Sequence, residues 1–209
     1  MLILNEKIND NAILAMWKVE ETIDELLAML FNRPEHREAI SKMGAEKRQK
    51  EYLVSRVMLN TVLNDDKTIA HHPNGAPYIT DGSYNISIAH TGQYVTILLH
   101  PTAKVGIDIE RIADKVVRVQ SKFLSEAEIA ALDANNSKTQ LTLLWAAKEA
   151  LYKIMGVETV DFVKHLSVAP FSPYLDGEMQ AQESVTAAQQ NYTLSYRVFP
   201  EFVLVWTIA

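Results

Sequence analysis

The hydrophobic period of this 209-residue chain changes from helical to extended twice, in the same order. That recurrence limits the fold more than any single segment does. In the first stretch Ile13 to Val19 is short and apolar, as a strand would be. Glu21 to Phe31 then places Ile23, Leu26, Leu27 and Leu30 at i, i+3, i+4 and i+7, the stripe of a helix. Pro34 suits the first turn of a second short helix, and Gly44 separates it from a longer one over Ala45 to Leu63. His72-Pro73-Asn74-Gly75-Ala76-Pro77 reads as a loop by its turn residues. Ser83 to Ala89 and Tyr94 to His100 follow as an antiparallel pair joined across His90-Thr91-Gly92-Gln93.

After a candidate boundary at Pro101-Thr102 the order begins again. A strand is expected at Val105 to Glu110. Helices follow at Val116 to Gln120, Ser125 to Asp133 and Thr139 to Met155, then strands at Leu166 to Ala169, Tyr192 to Phe199 and Phe202 to Ile208. The expected class is α+β, with two pseudo-symmetric α/β halves, residues 1–102 and 103–209, each a small antiparallel sheet packed with helices. No residue-level repeat and no low-complexity segment accompanies the recurrence.

A 48% hydrophobic and 22% charged composition is that of an ordinary globular chain. The formal charge of −6 argues against a nucleic-acid binder. With no cysteine there is no disulfide, thiolate nucleophile or thiolate metal site, as suits a reducing compartment. The N-terminus carries acids early and lacks a signal-peptide pattern, and no apolar run approaches the ~20 residues that span a bilayer. A cytoplasmic protein without membrane association is expected.

Four clusters bear chemistry. In Val105-Gly106-Ile107-Asp108-Ile109-Glu110, strand alternation turns Asp108 and Glu110 to one face. Two such carboxylates suit Mg²⁺, which takes few protein ligands and completes its octahedron with water and phosphate oxygens; a strand end with two solvated acids explains the motif as well. On the helix through Leu144 to Lys153, Glu149 and Lys153 sit one turn apart at the edge of an apolar face, next to Trp145. That spacing also describes an ordinary helix ion pair, with a contribution of roughly 0.3–0.5 kcal/mol. His90-Thr91-Gly92 offers a histidine that can meet a phosphate. Arg48 and Arg56, two turns apart in the sector of Tyr52, could grip one bidentately or form a solvated face.

In this order and spacing the motifs resemble the longer, two-half type of 4′-phosphopantetheinyl transferase, the type that activates surfactin synthetase. The resemblance runs over residues 45 to 156. It rests on Gly106-Ile107-Asp108-Ile109-Glu110, on Lys122-Phe123-Leu124-Ser125-Glu126-Ala127-Glu128, and on Trp145-Ala146-Ala147-Lys148-Glu149-Ala150-Leu151-Tyr152-Lys153. Upstream, Gly75-Ala76-Pro77 and Ala89-His90-Thr91 resemble the family's G-K-P loop and S-H-[ST] turn. The resemblance implies a site between the halves, with nucleotide contacts from 1–102 and the metal and catalytic motifs from 103–209. It implies that Asp108, Glu110 and Glu149 hold Mg²⁺ against coenzyme A, the substrate. His90, Thr91 and Lys153 would contact phosphate, with Lys148 adding charge, and Arg48, Arg56, Gly75 and Pro77 would bind the nucleotide end. Glu149 would be the base for an incoming serine hydroxyl, assisted by Lys153, and Glu128 a pantetheine contact or proton carrier. The partner implied is an apo-acyl or peptidyl carrier protein, and a monomer is expected. Ala76 and Ala89 depart from the family's lysine and serine, both expected near the nucleotide. The departures keep open a non-catalytic homologue that binds coenzyme A or a carrier protein, whereas retention of all three acids favours the transferase.

Overall fold

The computed structural model describes residues 1–9, 11–133, 137–157 and 159–209. These fall into two compact units, Met1–Thr102 and Ala103–Ala209.

The first unit begins with β1 (Leu2–Ile8) and β2 (Ala12–Lys18), continues through α1 (Ile23–Ala28), α2 (Arg33–Ser41) and α3 (Glu46–Leu63), and ends with β3 (Ile69–His71), β4 (Pro77–Ile79), β5 (Asn85–Thr91) and β6 (Tyr94–His100). Its antiparallel sheet has the order β1-β2-β6-β5, and β3 and β4 form a separate small ladder. Alternate residues of the two central strands, Ile13, Ala15 and Trp17 with Val95, Ile97 and Leu99, meet Leu53, Val57 and Met58 of α3 in one apolar core. Thr22 and Glu25 start α1 with a reciprocal capping box.

Three expectations change here. β1 was not foreseen, because Glu6 on its inner face and Ile3 on its outer face break the apolar alternation. The loop expected at 72–77 is found at 72–76, where it turns a hairpin whose short strands, β3 and β4, were not foreseen. His90 and Thr91, expected in a turn, belong to strand β5: Thr91 pairs with Tyr94, so the loop is Gly92-Gln93 alone. Gly92 at φ +57° is the residue type a two-residue hairpin needs at its first position.

The second unit comprises β7 (Val105–Arg111), α4 (Asp114–Val119), a 3-10 turn at Gln120–Lys122, α5 (Glu126–Ala130), α6 (Ser137–Met155), α7 (Phe162–His165), β8 (Leu166–Val168), β9 (Asp176–Glu183), β10 (Asn191–Val198) and β11 (Phe202–Ile208). The sheet is antiparallel with order β7-β11-β10-β9-β8. Leu143, Ala147, Leu151 and Ile154 of α6 join Leu194, Val203 and Val205 in its core. β9 was not foreseen: its buried face offers only Met179, Ala181 and the polar Glu183, too few apolar residues to read as a strand. The four-residue α7 starts on Asp161, whose carboxylate caps Val163 and Lys164, and has no apolar stripe to betray it.

The α+β class is as expected, with an antiparallel sheet and a long helix in each unit. In both, the strand before the helices pairs with the unit's last strand, β2 with β6 and β7 with β11. Among the described residues no helix is long and apolar enough to cross a membrane.

Gly106 sets the distance between β7 and α6. A Cβ there would lie 2.2 Å from the backbone oxygen of Ala150 and 3.0 Å from Ile154 Cβ. Only glycine lets strand and helix approach this closely, and the acid-bearing face of β7 is thereby pressed against α6.

Candidate active site

Asp108 and Glu110, on the same face as Gly106, meet side chains of α6. Lys153 Nζ donates to Asp108 Oδ1 at 2.8 Å and to the Ile107 carbonyl at 2.9 Å. Trp145 Nε1 donates to Glu110 Oε1 at 3.0 Å. The Glu149–Lys153 ion pair that helix spacing favours is not formed. The reason is burial: Asp108 is 6% exposed, and the more deeply buried carboxylate claims the cation in preference to the partly exposed Glu149. Its second oxygen, Oδ2, is buried and accepts no hydrogen bond.

Glu149 stands on the same side. Burial and the charges of Asp108 and Glu110 push its carboxyl up to about 7, with Lys153 opposing. Burial and Asp108 also raise Glu110, against the Trp145 hydrogen bond and Lys115 and Lys153. The three acids thus act on one another electrostatically, with Lys153 the cation that opposes the rise of both Glu149 and Glu110. Among the described residues no group of three or more His, Cys, Asp or Glu side chains forms a metal-holding cluster. The donors still fit Mg²⁺ chemically: they are hard oxygens, one lacks any partner, and Mg²⁺ ordinarily takes only one or two carboxylates beside water and phosphate oxygens.

The raised carboxyl has a measurable consequence. A native acid titrating near 7 keeps its proton where the unfolded chain, titrating at 4.5, has lost it. Native protein therefore binds more protons between these values, and stability falls as pH rises through them. Glu149→Gln should flatten this slope. His36 and His71, both held low chiefly by burial, act oppositely in part of the same window, so the reading is the difference between the two proteins. In chelator, thermal melts at pH 5 and pH 8 should show wild type losing about 1–2 kcal/mol more than the variant, after allowance for solvent screening. Parallel melting curves would refute the raised value.

Lys148 and Glu128, expected at phosphate and pantetheine, are committed elsewhere. Lys148 is fully buried and donates to Phe123 O, Glu128 Oε2 and Phe162 O at 2.7, 2.8 and 3.0 Å. Glu128 closes a capping box with Ser125 and accepts from Val168 N. In this arrangement neither side chain is free to meet a substrate.

In the first unit a cavity of about 600 Å³ gathers Arg48, Arg56, Gly75, Pro77 and His90, together with Glu51, Tyr52, Ser55 and His71. The guanidinium of Arg56 lies 3.5 Å over the Tyr52 ring and donates to Tyr52 O, Ser55 Oγ and Ile69 O. Arg48 is exposed and has no ion-pair partner among the described residues. His90 Nδ1 lies 3.2 Å from Glu51 Oε1. Glu51, not foreseen from the sequence, stands three residues from Arg48 on one helix face. Gly75, at φ +84°, makes the turn that brings Pro77 to the wall. Thr91 and Ala89 do not line the cavity. With Ile88 and His90 facing it, strand alternation turns Ala89, 3% exposed, to the opposite face, so its departure from serine removes no group from this cavity. Ala76, beside Gly75, does not line the cavity either.

Residues 104–199 match the family model described as the 4′-phosphopantetheinyl transferase superfamily. That segment is similar to the 4′-phosphopantetheinyl transferase superfamily. The L-aminoadipate-semialdehyde dehydrogenase-phosphopantetheinyl transferase of Mus musculus is 27% identical over 156 residues, 63% of this chain and 50% of its own length. The 4′-phosphopantetheinyl transferase gsp of Aneurinibacillus migulanus is 27% identical over 113 residues, 51% of this chain and 46% of its own. The 4′-phosphopantetheinyl transferase AcpT of Salmonella typhi is 28% identical over 131 residues, 59% and 67% respectively. The match thus spans about half the length of the first two. Asp108, Glu110, Trp145, Glu149 and Lys153 fall inside the superfamily segment; the arginine-lined cavity lies outside it and stands on its own geometry.

Proposed function

We propose that the protein transfers 4′-phosphopantetheine from coenzyme A to a serine of an apo-carrier protein, with release of adenosine 3′,5′-bisphosphate. The observation that supports this most directly is the interacting set Asp108, Glu110 and Glu149, in which a buried oxygen of Asp108 has no hydrogen-bond partner and the Glu149 carboxyl is pushed up to about 7. Asp108, Glu110 and Glu149 would hold Mg²⁺. When bound, it would offset negative charge on the pyrophosphate oxygens. Lys153 brings an ammonium to the same place, for the phosphate that is left as the P–O bond to the nucleotide breaks. A serine hydroxyl is a weak nucleophile, and Glu149 would take its proton, directly or through a water, as the new P–O bond forms. The serine comes from the partner, so no nucleophile is needed in this chain.

Coenzyme A would place its nucleotide end in the first unit's cavity, with Arg48, Arg56 and His90 facing phosphate. Arg48 is the clean probe, because Arg56 also holds the fold together. Arg48→Ala should weaken coenzyme A binding by ~1.5–3 kcal/mol, the range for a charged hydrogen bond. Dephospho-coenzyme A should be nearly indifferent, and equal losses with both ligands would show that Arg48 does not read the 3′-phosphate.

The deciding experiment incubates the protein with coenzyme A, Mg²⁺ and a panel of apo-carriers, followed by mass spectrometry. Carrier that gains phosphopantetheine supports the proposal. Coenzyme A binding without transfer to any carrier would favour a regulator, and adenosine 3′,5′-bisphosphate released without carrier would favour a hydrolase.

A further inference from the structure

A buried ion pair stands behind the acid pocket. The Lys148 ammonium has three N–H donors, and all three are used, on Glu128 Oε2 and on the carbonyls of Phe123 and Phe162. The rings of those two phenylalanines rest against Trp145, with centroids 5.0 and 5.8 Å from it. Trp145 in turn donates its indole N–H to Glu110. The ammonium therefore fixes two backbone points whose side chains form the walls around the indole, and the indole aims the carboxylate. Glu128 anchors the other end of the pair through Ser125 N, Ser125 Oγ and Val168 N, which ties the start of α5 and strand β8 to α6.

We propose that Lys148 and Glu128 are positioning residues whose ion pair sets the Phe123–Trp145–Phe162 stack and, through it, the orientation of Glu110. The consequence for metal dependence rests on the reading of Asp108, Glu110 and Glu149 as the Mg²⁺ site; the orientation of Trp145 does not. A buried ion pair is a weak source of net stability, because desolvation offsets the attraction and well-packed uncharged replacements are often tolerated. Its distinctive product here is geometry. Metal sites lose about 10–100-fold in affinity when the groups that orient a ligand are removed.

The test is the double variant Lys148→Met/Glu128→Gln, which removes both charges, keeps the volume and leaves an amide to cap Ser125. With ¹⁵N-labelled indoles, the resonances of Trp17, Trp145 and Trp206 are assigned by Trp→Phe substitution and followed without metal or coenzyme A. The Trp145 resonance should shift and broaden while the other two stay in place. In transfer assays the Mg²⁺ requirement should rise about tenfold, with the coenzyme A KM within about twofold of wild type. A folded double variant whose Trp145 resonance is unmoved overturns the proposal. If the double variant does not fold, Glu128→Gln alone must shift the same resonance, and an unmoved signal there overturns it equally. A shifted indole in a protein whose wild type shows no transfer would sustain the positioning role and remove the transferase reading.

Discussion

Asp108→Ala is expected to lower phosphopantetheine transfer by about 10²–10³-fold with the fold intact, the loss of some 3–4 kcal/mol of transition-state stabilisation. The substitution removes a fully buried carboxylate oxygen that has no hydrogen-bond partner, and with it the carboxylate that accepts from Lys153, which keeps the Ile107 carbonyl. It also relieves Glu149 and Glu110 of a neighbouring charge, so both carboxyls should titrate closer to their ordinary value. Loss of activity combined with a lower Glu149 titration point, followed by carboxylate-edited NMR, separates removal of a functional group from collapse of the site. Near wild-type turnover at limiting Mg²⁺ would end the metal assignment. Glu110→Gln should be milder, since the amide still accepts from Trp145 and water can replace a peripheral ligand.

The second large effect is steric. Gly106→Ala sets a methyl group 2.2 Å from the Ala150 carbonyl oxygen, a backbone atom that cannot rotate away. Either β7 or α6 must move, and overpacking of this kind costs about 3 kcal/mol or more. A displacement near 1 Å between strand and helix also separates Asp108 from Lys153 and Glu110 from Trp145, and misplacement on that scale costs about 10²-fold in rate. Thermal melts and transfer assays should therefore fall together. Gly44→Ala, where an added Cβ meets nothing within 4 Å, is the stability control. A Gly106→Ala protein as stable as the Gly44→Ala control would show that strand and helix have slack.

Alternation along Val105 to Glu110 was enough to put Asp108 and Glu110 on one face, because a period of two is fixed by backbone geometry. The destination of Lys153 was not legible. Local spacing proposes Glu149, whereas the competitor Asp108 lies 45 residues away and wins through burial that only the packed helix creates. The partners of Lys148 were not legible for a related reason: Glu128 and the carbonyls of Phe123 and Phe162 lie 20, 25 and 14 residues away and meet it only in the packed unit. Ala89 shows how small an error matters. A hairpin turn misplaced by two residues puts His90 and Thr91 in a loop, where His90 and the neighbouring Ala89 could both face a ligand; with the strand continued to Thr91, the side chains of Ala89 and His90 point opposite ways. β1 and β9 escaped because each carries a glutamate on its inner face.

The pairing of β7 with β11 bears on how the second unit is made. Val105 opposes Ile208 and Arg111 opposes Phe202, so this ladder joins segments about 90–100 positions apart, and β7 has no other strand beside it among the described residues. Contacts of such sequence separation raise relative contact order and slow folding, since the entropy of closing the loop is lost before the ladder forms. During synthesis β7 and α6 emerge early, yet the strand bearing Asp108 has no hydrogen-bonded neighbour until β11 has left the ribosome. Until then it is an unprotected edge, open to pairing with other chains. Competence of the acid site thus waits on a strand made about 90–100 positions later, although no residue of that strand contributes a side chain to its hydrogen bonds.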